Sequence, residues 1–449
     1  MSLQVKFISR AGLSLLLLGV LVVSVSSGSA QTVTAEKTVT VGKNVPDNGT
    51  LRSGLTWTTS GISLIDSVAV TLNMSSPFNS NPINLGDLSA SLRHGASGES
   101  YRTGSLFSAG SMSSLTQTFT QGTSFDGGYL SSGYWNLAVN DVHGGGIARL
   151  DAWKLAVTGT PLASGTMDLG AGTVLAAAAA GTTEVGAAVV SNGTGASAIT
   201  LATDSGKDLN LSGGLSGSGN FSKTGEGTVR IGNSSGFSGR LEVGGGKVVI
   251  DGTLASGSTV SVGAGGKLGG TGTVGALEIA SGGTLAVGNS PGQLNAGTTT
   301  WAGGASYEWE INSFPGTAGT NWDFLNITGN LNITATSSPG SQFLIDVVSL
   351  LPGSDSFNPL ANYSFAIATA SSGITGFDVS KFNLSTNQFP NSDDGFWSID
   401  TAAGPGGGSS QSLVLSYTSN ATAIPEPSSG MLLTAGLGAL GLIHLRRRR

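Results

Sequence analysis

Leu241-Glu242-Val243, Val260-Ser261-Val262 and Leu277-Glu278-Ile279 are three apolar-polar-apolar triplets, spaced 19 and 17 residues apart. A second apolar series, Val249, Leu268 and Leu285, follows at the same spacings, with Gly-rich turns between its members. Alternation over three residues is the period of a short strand with one face buried. A repeat of this length reads as one rung of short strands stacked on the next, so that inward side chains of successive rungs pile on one another. Gly supplies the tight corners. The segment is therefore expected to form a parallel β-helix, and its handedness is taken as right-handed by analogy.

Composition sets the bounds outside this segment. The chain has 449 residues, of which 72, about 16%, are Gly and none is Cys; charged residues are 10% and aromatics 6%. Mean hydropathy is +0.16. So low a charge with this much aliphatic content excludes a charge-driven disordered chain. Gly without a period of three excludes collagen. Absence of Cys excludes disulfides, zinc-thiolate sites and thiol nucleophiles.

Both ends read as processing segments. Lys6 and Arg10 precede an apolar run from Ala11 to Val25, and Gly28-Ser29-Ala30 offers a cleavage site, so residues 1–30 are expected to be a cleaved signal peptide. At the other end Ile424-Pro425-Glu426-Pro427 leads into a mostly apolar stretch of 18 residues, Ser428 to Leu445, closed by Arg446, Arg447, Arg448 and Arg449. That length is near the lower limit for a membrane helix, and the terminal Arg would stay on the cytoplasmic side. His444 falls within this tail. Without Lys6, Arg10 and the four terminal Arg, 14 of the 20 basic residues remain. At most Glu426 is lost from the 26 acidic ones, so the net charge is about −11. So few cations argue against nucleic acid and anionic membrane as partners.

The tail resembles the PEP-CTERM sorting signal of exported Gram-negative bacterial proteins, with its Pro-Glu-Pro, apolar span and Arg cluster in order over residues 420–449. The resemblance implies recognition by an exosortase, transient anchoring in the inner membrane, and a final place at the cell surface or in the extracellular matrix. Signal peptidase is the partner implied at the other end.

Residues 31–161 carry strand-like alternation in Ile65–Leu72, Trp135–Val139 and Trp153–Val157, which reads as an all-β sandwich. Four blocks carry a resemblance here. They are Val45–Gly49, Leu85–Leu92, Gly133–Asp141 and Gly144–Leu155, and their order looks like the P domain that follows the protease domain of proprotein convertases. The resemblance implies a jelly-roll-like β-sandwich, here expected to stand without a preceding protease domain. Some P domains bind calcium, and Asp87 and Asp141 lie in the matching blocks, which makes them the candidate ligands. No other cofactor is expected.

Residues 162–300 resemble the autotransporter-associated β-strand repeat, through Gly217–Val229, Asn233–Gly239, Leu268–Val274 and Leu285–Gly292. That family occurs in secreted passenger regions of bacterial surface proteins. The tail departs from it, because autotransporters end in a barrel of amphipathic strands. The repeat signal is weak between Leu162 and Ser216. Residues 301–419 regain Trp, Phe and Asp, and are expected to continue the β-helix with longer insertions and to end in a β-rich cap.

Patterns that resemble catalytic motifs lie in contexts that do not suit the chemistry. Gly270-Thr-Gly272-Thr-Val-Gly275 matches G-x-G-x-x-G, but strand-like Leu277–Ile279 follows where a helix should begin. Gly288-Asn-Ser290-Pro-Gly292 matches G-x-S-x-G, but Pro291 lacks the N–H that an oxyanion hole uses there. His94 and His143 read as loop histidines, each followed by Gly. Asp393-Asp394 reads as a loop pair. Glu308 and Glu310 share one strand face about 6.6–6.8 Å apart, within the range of a glycosidase carboxylate pair. Trp309 points to the other face, and Asp323 follows Trp322.

The expectation is a non-enzymatic, exported surface or extracellular-matrix protein, structural or adhesive, with exopolysaccharide or other surface proteins as partners. A β-helical carbohydrate-binding or carbohydrate-active protein stays open beside it, as does a calcium-stabilised protein-binding module.

Overall fold

The computed structural model describes residues 32–420, except 48, 58–61, 77–82, 85–87, 95–99, 106–110, 113, 123–132, 142–147, 196–197, 351–356 and 390–394. These residues form strands and turns, with a three-residue 3-10 turn at Val379–Lys381 and no α-helix among them. The expected signal peptide and the expected membrane helix after Pro427 lie outside the described residues. Among the described residues no helix is long and apolar enough to cross a membrane.

The triplets stack in register. Leu241 stands opposite Val260, and Val260 opposite Leu277, in parallel strands Arg240–Val243, Thr259–Val262 and Ala276–Ile279. Their outer residues Glu242, Ser261 and Glu278 form a partly exposed column, while the flanking Leu, Val and Ile are buried. Burial of one such side chain contributes ~1.5–3 kcal/mol, so the stacked columns are the main source of cohesion.

The coil has three faces. One is made of nine strands of a 13-stranded sheet, whose other four lie in the N-terminal part, and the second is a 9-stranded sheet, both parallel along the coil. The third begins as three parallel strands, continues as single bridges such as Thr253–Thr273 and Thr273–Asn295, and ends in a five-stranded sheet. These long parallel sheets are compatible with a β-helix.

Rung length varies along the coil. Val174 pairs with Thr200 and Ile199 with Phe221, offsets of 26 and 22, in the stretch where the sequence repeat is weak. Later, Thr299 pairs with Leu331 and Leu331 with Ile374, offsets of 32 and 43. Only the middle rungs share a near-constant length, and only there does the repeat appear in the sequence.

One element of the second series is shifted. Val248, not Val249, pairs with Leu268, and Leu268 pairs with Leu285. Val248, Val249 and Ile250 are all buried, so alternation alone does not say which of them faces inward. Val249 instead stands opposite Gly269 on the outer face. The chain after Leu285 crosses that face: Gly270 and Gly288 bridge antiparallel, and a Cβ on Gly269 would stand 2.8 Å from the Ala286 carbonyl oxygen.

The N-terminal part has two antiparallel layers. Ile62–Ser75, Arg149–Pro161 and Val33–Asn44 belong to one, and Thr50–Trp57, Gly133–Asp141 and Leu88–His94 to the other. Trp135 and Trp153 are fully buried. Trp153 Nε1 donates to Ser53 Oγ at 3.0 Å, which joins the layers. Val33–Asn44 pairs with Arg149–Pro161 on one side and with Val174–Ala177 on the other. Ala35 thus faces both Val157 and Leu175, and the sheet passes without a break into the first rung of the coil.

Candidate functional site

Three of the acidic residues singled out by sequence, Glu308, Glu310 and Asp323, gather where the coil begins to widen. Strand Ser306–Ile311 alternates strictly, with Tyr307, Trp309 and Ile311 buried and Glu308 and Glu310 outward. Glu308 lies beside Asp346 on the next strand. Its carboxylate pairs with Lys267 Nζ at 2.7 Å, reaching over the short strand Thr284–Leu285.

Asp323 enters this group from the next turn, with 0% exposure. Its Oδ1 accepts from the Gly292 amide at 2.9 Å and its Oδ2 from the Glu310 amide at 3.2 Å. Its backbone is held too, since the Asp323 amide donates to the Glu310 carbonyl at 2.9 Å and Trp309 Nε1 donates to the Asp323 carbonyl at 2.8 Å. Burial pushes the Asp323 carboxyl up to about 8. The two amide donors act against that shift, and the neighbouring Glu310 and Glu308 add to it. The same surroundings hold the buried Tyr307 hydroxyl well above its ordinary value, burial being the main cause.

This arrangement ties the Gly288–Gly292 corner to the widening rung. Ser290 in that corner has φ +74° and Gly288 has φ +85°. A Cβ on Gly288 would stand 2.3 Å from the Gly292 amide nitrogen. The G-x-S-x-G pattern is therefore a close backbone turn. Gly270, first in the G-x-G-x-x-G pattern, has φ +107°, and strand Ala276–Ile279 follows that pattern. With no surface of its own, the Asp323 carboxyl meets no solute in this conformation.

A second buried titratable group lies within the repeat. Lys223 occupies an inward slot between Leu201 and Val243 and has 0% exposure. Its Nζ donates to the carbonyls of Thr224 at 3.0 Å, Gly225 at 2.7 Å and Gly245 at 3.0 Å. Burial lowers its pKa to about 8, against the pull of Glu226 and Asp208. The signal was present in Phe221-Ser222-Lys223, where a charge stands in the slot that Val fills in Leu241-Glu242-Val243.

Outside these groups the coil surface is laced by ion pairs. Arg240 bonds Glu278 at 2.7 Å and Glu242 at 3.3 Å, and the bond to Glu278 is the main reason its pKa is raised. A cleft of about 280 Å³ is lined by residues that include Ser306, Gln342 and Asn383, and its lining holds no titratable side chain.

The candidate calcium ligands are only partly visible. Asp141 ends strand Gly133–Asp141, is buried, and stands opposite Leu88. Asp87 lies outside the described residues. Among the described residues no group of three His, Cys, Asp or Glu side chains is placed to hold a metal ion. His94 ends strand Leu88–His94 opposite Trp135, while His143, Asp393 and Asp394 lie outside the described residues. Pro425, Glu426, Pro427 and Arg446 to Arg449 also lie outside them.

A family model for the PEP-CTERM protein-sorting motif matches residues 423–449. That motif implies an exported surface protein with an exosortase as its processing partner. No curated protein matches the chain. Among solved structures, a crystal structure of a serine protease of Aeromonas sobria is similar at 15% identity and a TM-score of 0.21, over 28% of this chain and 27% of that one. The chain thus spans about a quarter of that protein's length.

Proposed function

We propose that this chain is a structural or adhesive protein of the bacterial surface or extracellular matrix. In this reading signal peptidase removes residues 1–30, and the 18-residue apolar stretch holds the precursor in the inner membrane until an exosortase cuts the tail. The coil is a right-handed β-helix, and the N-terminal layers are a jelly-roll-like module that carries the contact with exopolysaccharide or another surface protein. The observation that carries the reading is the sorting motif at residues 423–449.

A role without catalysis is favoured by the state of the acidic groups. Glu308 is neutralised by Lys267, and Asp323 has no exposed surface. A glycosidase needs both carboxylates in reach of one sugar. Trp309, which would be the nearest stacking platform, faces the core.

The test is the intact mass and location of the native protein in its bacterium. A mass lacking residues 1–30 and the stretch after Ile424, recovered outside the cell, supports the reading. A mass that retains the Arg tail in the inner membrane overturns it in favour of an anchored periplasmic protein.

A further inference from the structure

The outer face of the second N-terminal layer gathers positive charge on a chain that is acidic as a whole. In strands Thr50–Trp57, Gly133–Asp141 and Leu88–His94, Leu55, Trp135, Leu137, Leu88 and Leu92 are buried in the core, so the residues that alternate with them point outward. Two rows of these outward residues lie side by side. One runs through Arg52, Ala138 and Ser91, and Arg102 pairs with Ser91 from the next strand, Ser100–Ser105. The other runs through Gly54, Asn136 and Arg93. Arg52 and Arg93 are both exposed, and among the described residues neither has a carboxylate partner. By contrast Arg149, Lys154, Lys207, Arg230, Arg240 and Lys267 are each ion-paired.

The same face has an unmet acceptor. Asn136 stands between Gly54 and Arg93, and its Oδ1 is buried without a hydrogen-bond partner. Buried polar atoms are rarely left so. The next row along the strands is neutral and hydrogen-bonded. Thr50 Oγ1 donates to Asn140 Oδ1 at 2.5 Å, and Asn140 Nδ2 donates to Ser89 Oγ at 3.4 Å. Gly54, Ala138 and Ser91, which stand beside the two arginines, are small. A protein partner packs on a large anchor at the centre of its interface, and none stands between these arginines.

What the face lacks defines what it would take. Its guanidinium groups lack an anion and Asn136 lacks a donor, and a sugar acid supplies carboxylate and hydroxyl together. We propose that this face binds a carboxylate-bearing polysaccharide, a polyuronate in chemical class, through Arg52 and Arg93. With strands ~4.8 Å apart and ~3.4 Å per residue along each, the two Cα atoms stand about 12 Å apart, so each guanidinium takes its own carboxylate along one polymer strand. A net charge of about −11 after processing disfavours a broad anionic surface, which needs many cations at once, whereas a single carboxylate needs one guanidinium fork. At physiological salt, charges more than ~8 Å away are screened from the site. The inference rests on the reading of the N-terminal layers as the part that meets exopolysaccharide.

The test measures binding of the full chain, in neutral detergent at physiological salt, to immobilised polygalacturonate, polyglutamate and dextran. Polyglutamate carries the carboxylates without the hydroxyls, and dextran the hydroxyls without the carboxylates. Binding to polygalacturonate is expected to be several-fold stronger than to either. Arg52→Gln with Arg93→Gln is expected to weaken it several-fold at an unchanged melting temperature, since both side chains are exposed. Arg52→Lys with Arg93→Lys keeps the charge but loses the fork, and is expected to give a smaller loss. Arg230→Gln with Lys247→Gln removes the same charge from the coil and is expected to leave binding as it was. Equal losses for the two Gln pairs, or no loss for Arg52→Gln with Arg93→Gln, overturn the site. Binding to polyglutamate as strong as to polygalacturonate overturns the inference in favour of an acidic protein partner. A native chain that does not bind polygalacturonate, or binds dextran equally, overturns the ligand class. These outcomes leave the export reading standing, because intact mass and location decide that one separately.

Discussion

Asp323 and Glu310 are joined twice, once by the Glu310 amide donating to Asp323 Oδ2 at 3.2 Å and once by the Asp323 amide donating to the Glu310 carbonyl at 2.9 Å. The pair fixes the point where the rung length grows from 22 residues, as between Leu285 and Tyr307, to 38, as between Tyr307 and Ile345. A polar residue with no exposed surface is held there because its carboxyl satisfies two backbone donors that would otherwise be buried without partners.

That geometry has a pH signature. Folding raises the Asp323 carboxyl from 3.8 to about 8, so between these values the folded state binds more protons than the unfolded one. Stability from this group is fully present below about pH 4 and falls as pH rises to about 8. Exposed carboxylates that accept hydrogen bonds act in the opposite sense, as Asp378 does with its pKa lowered by Ser380. The clean readout is therefore a difference. Melting temperature of the native chain is expected to fall relative to Asp323→Asn between pH 5 and 8. Parallel curves for the two proteins would refute the assignment.

Lys223 makes a different demand on its corner. Replacement by Met preserves the length of the stem and leaves the carbonyls of Thr224, Gly225 and Gly245 without their Nζ donor. A buried polar group stripped of its partner costs ~1–3 kcal/mol. Lys223→Met is expected to lower the melting temperature by several degrees. Lys207→Met, which removes a half-exposed pair with Asp204, is expected to have little effect. Equal losses for the two would show that the three carbonyl bonds contribute nothing special.

Gly270 and Gly236 separate steric need from mere composition. At Gly270 φ is +107° and a Cβ would stand 2.2 Å from the Ile250 carbonyl oxygen. At Gly236 the nearest atom to an added Cβ is 3.7 Å away, an ordinary contact. Gly270→Ala is expected to destabilise by more than ~1 kcal/mol, and Gly236→Ala by a few tenths at most. Chemical denaturation of both variants reads the difference, and a tolerated Gly270→Ala would contradict the corner geometry.

The parallel register of the middle rungs was legible because Leu241, Val260 and Leu277 recur at nearly constant spacing. It was less legible on either side for a physical reason. A rung closes once its strands are in register, and the corners between them accept insertions, so offsets of 26, 32 and 43 stack as well as 19. Self-similarity is lost while the stacking is kept. Within a strand, three buried residues in a row, Val248 to Ile250, hide the register that hydrogen bonding fixes. Of the candidate sites, the outward direction of Glu308 and Glu310 followed from alternation. The staple made by Asp323 did not, because its partners Gly292 and Glu310 are backbone amides that no side-chain pattern announces.

The sorting tail supplies the last expectation. Glu426 is the one charge in the Pro-Glu-Pro segment, and Arg446 to Arg449 close the chain after the apolar stretch. In the proposed route, recognition by a membrane peptidase would need the first in reach of the enzyme, while the terminal cations would keep the apolar stretch from passing through the bilayer. Glu426→Ala is expected to leave the uncut precursor in the inner membrane. Replacement of the four Arg by Ala is expected to let uncut protein escape the membrane, since no cation then holds the cytoplasmic side. Immunoblots of membrane and culture fractions with an antibody against the coil distinguish the two fates by size and location. If Glu426→Ala is cut and released like the native chain, the segment Pro425–Pro427 is not what the peptidase reads, and the proposed route to the surface loses its entry point.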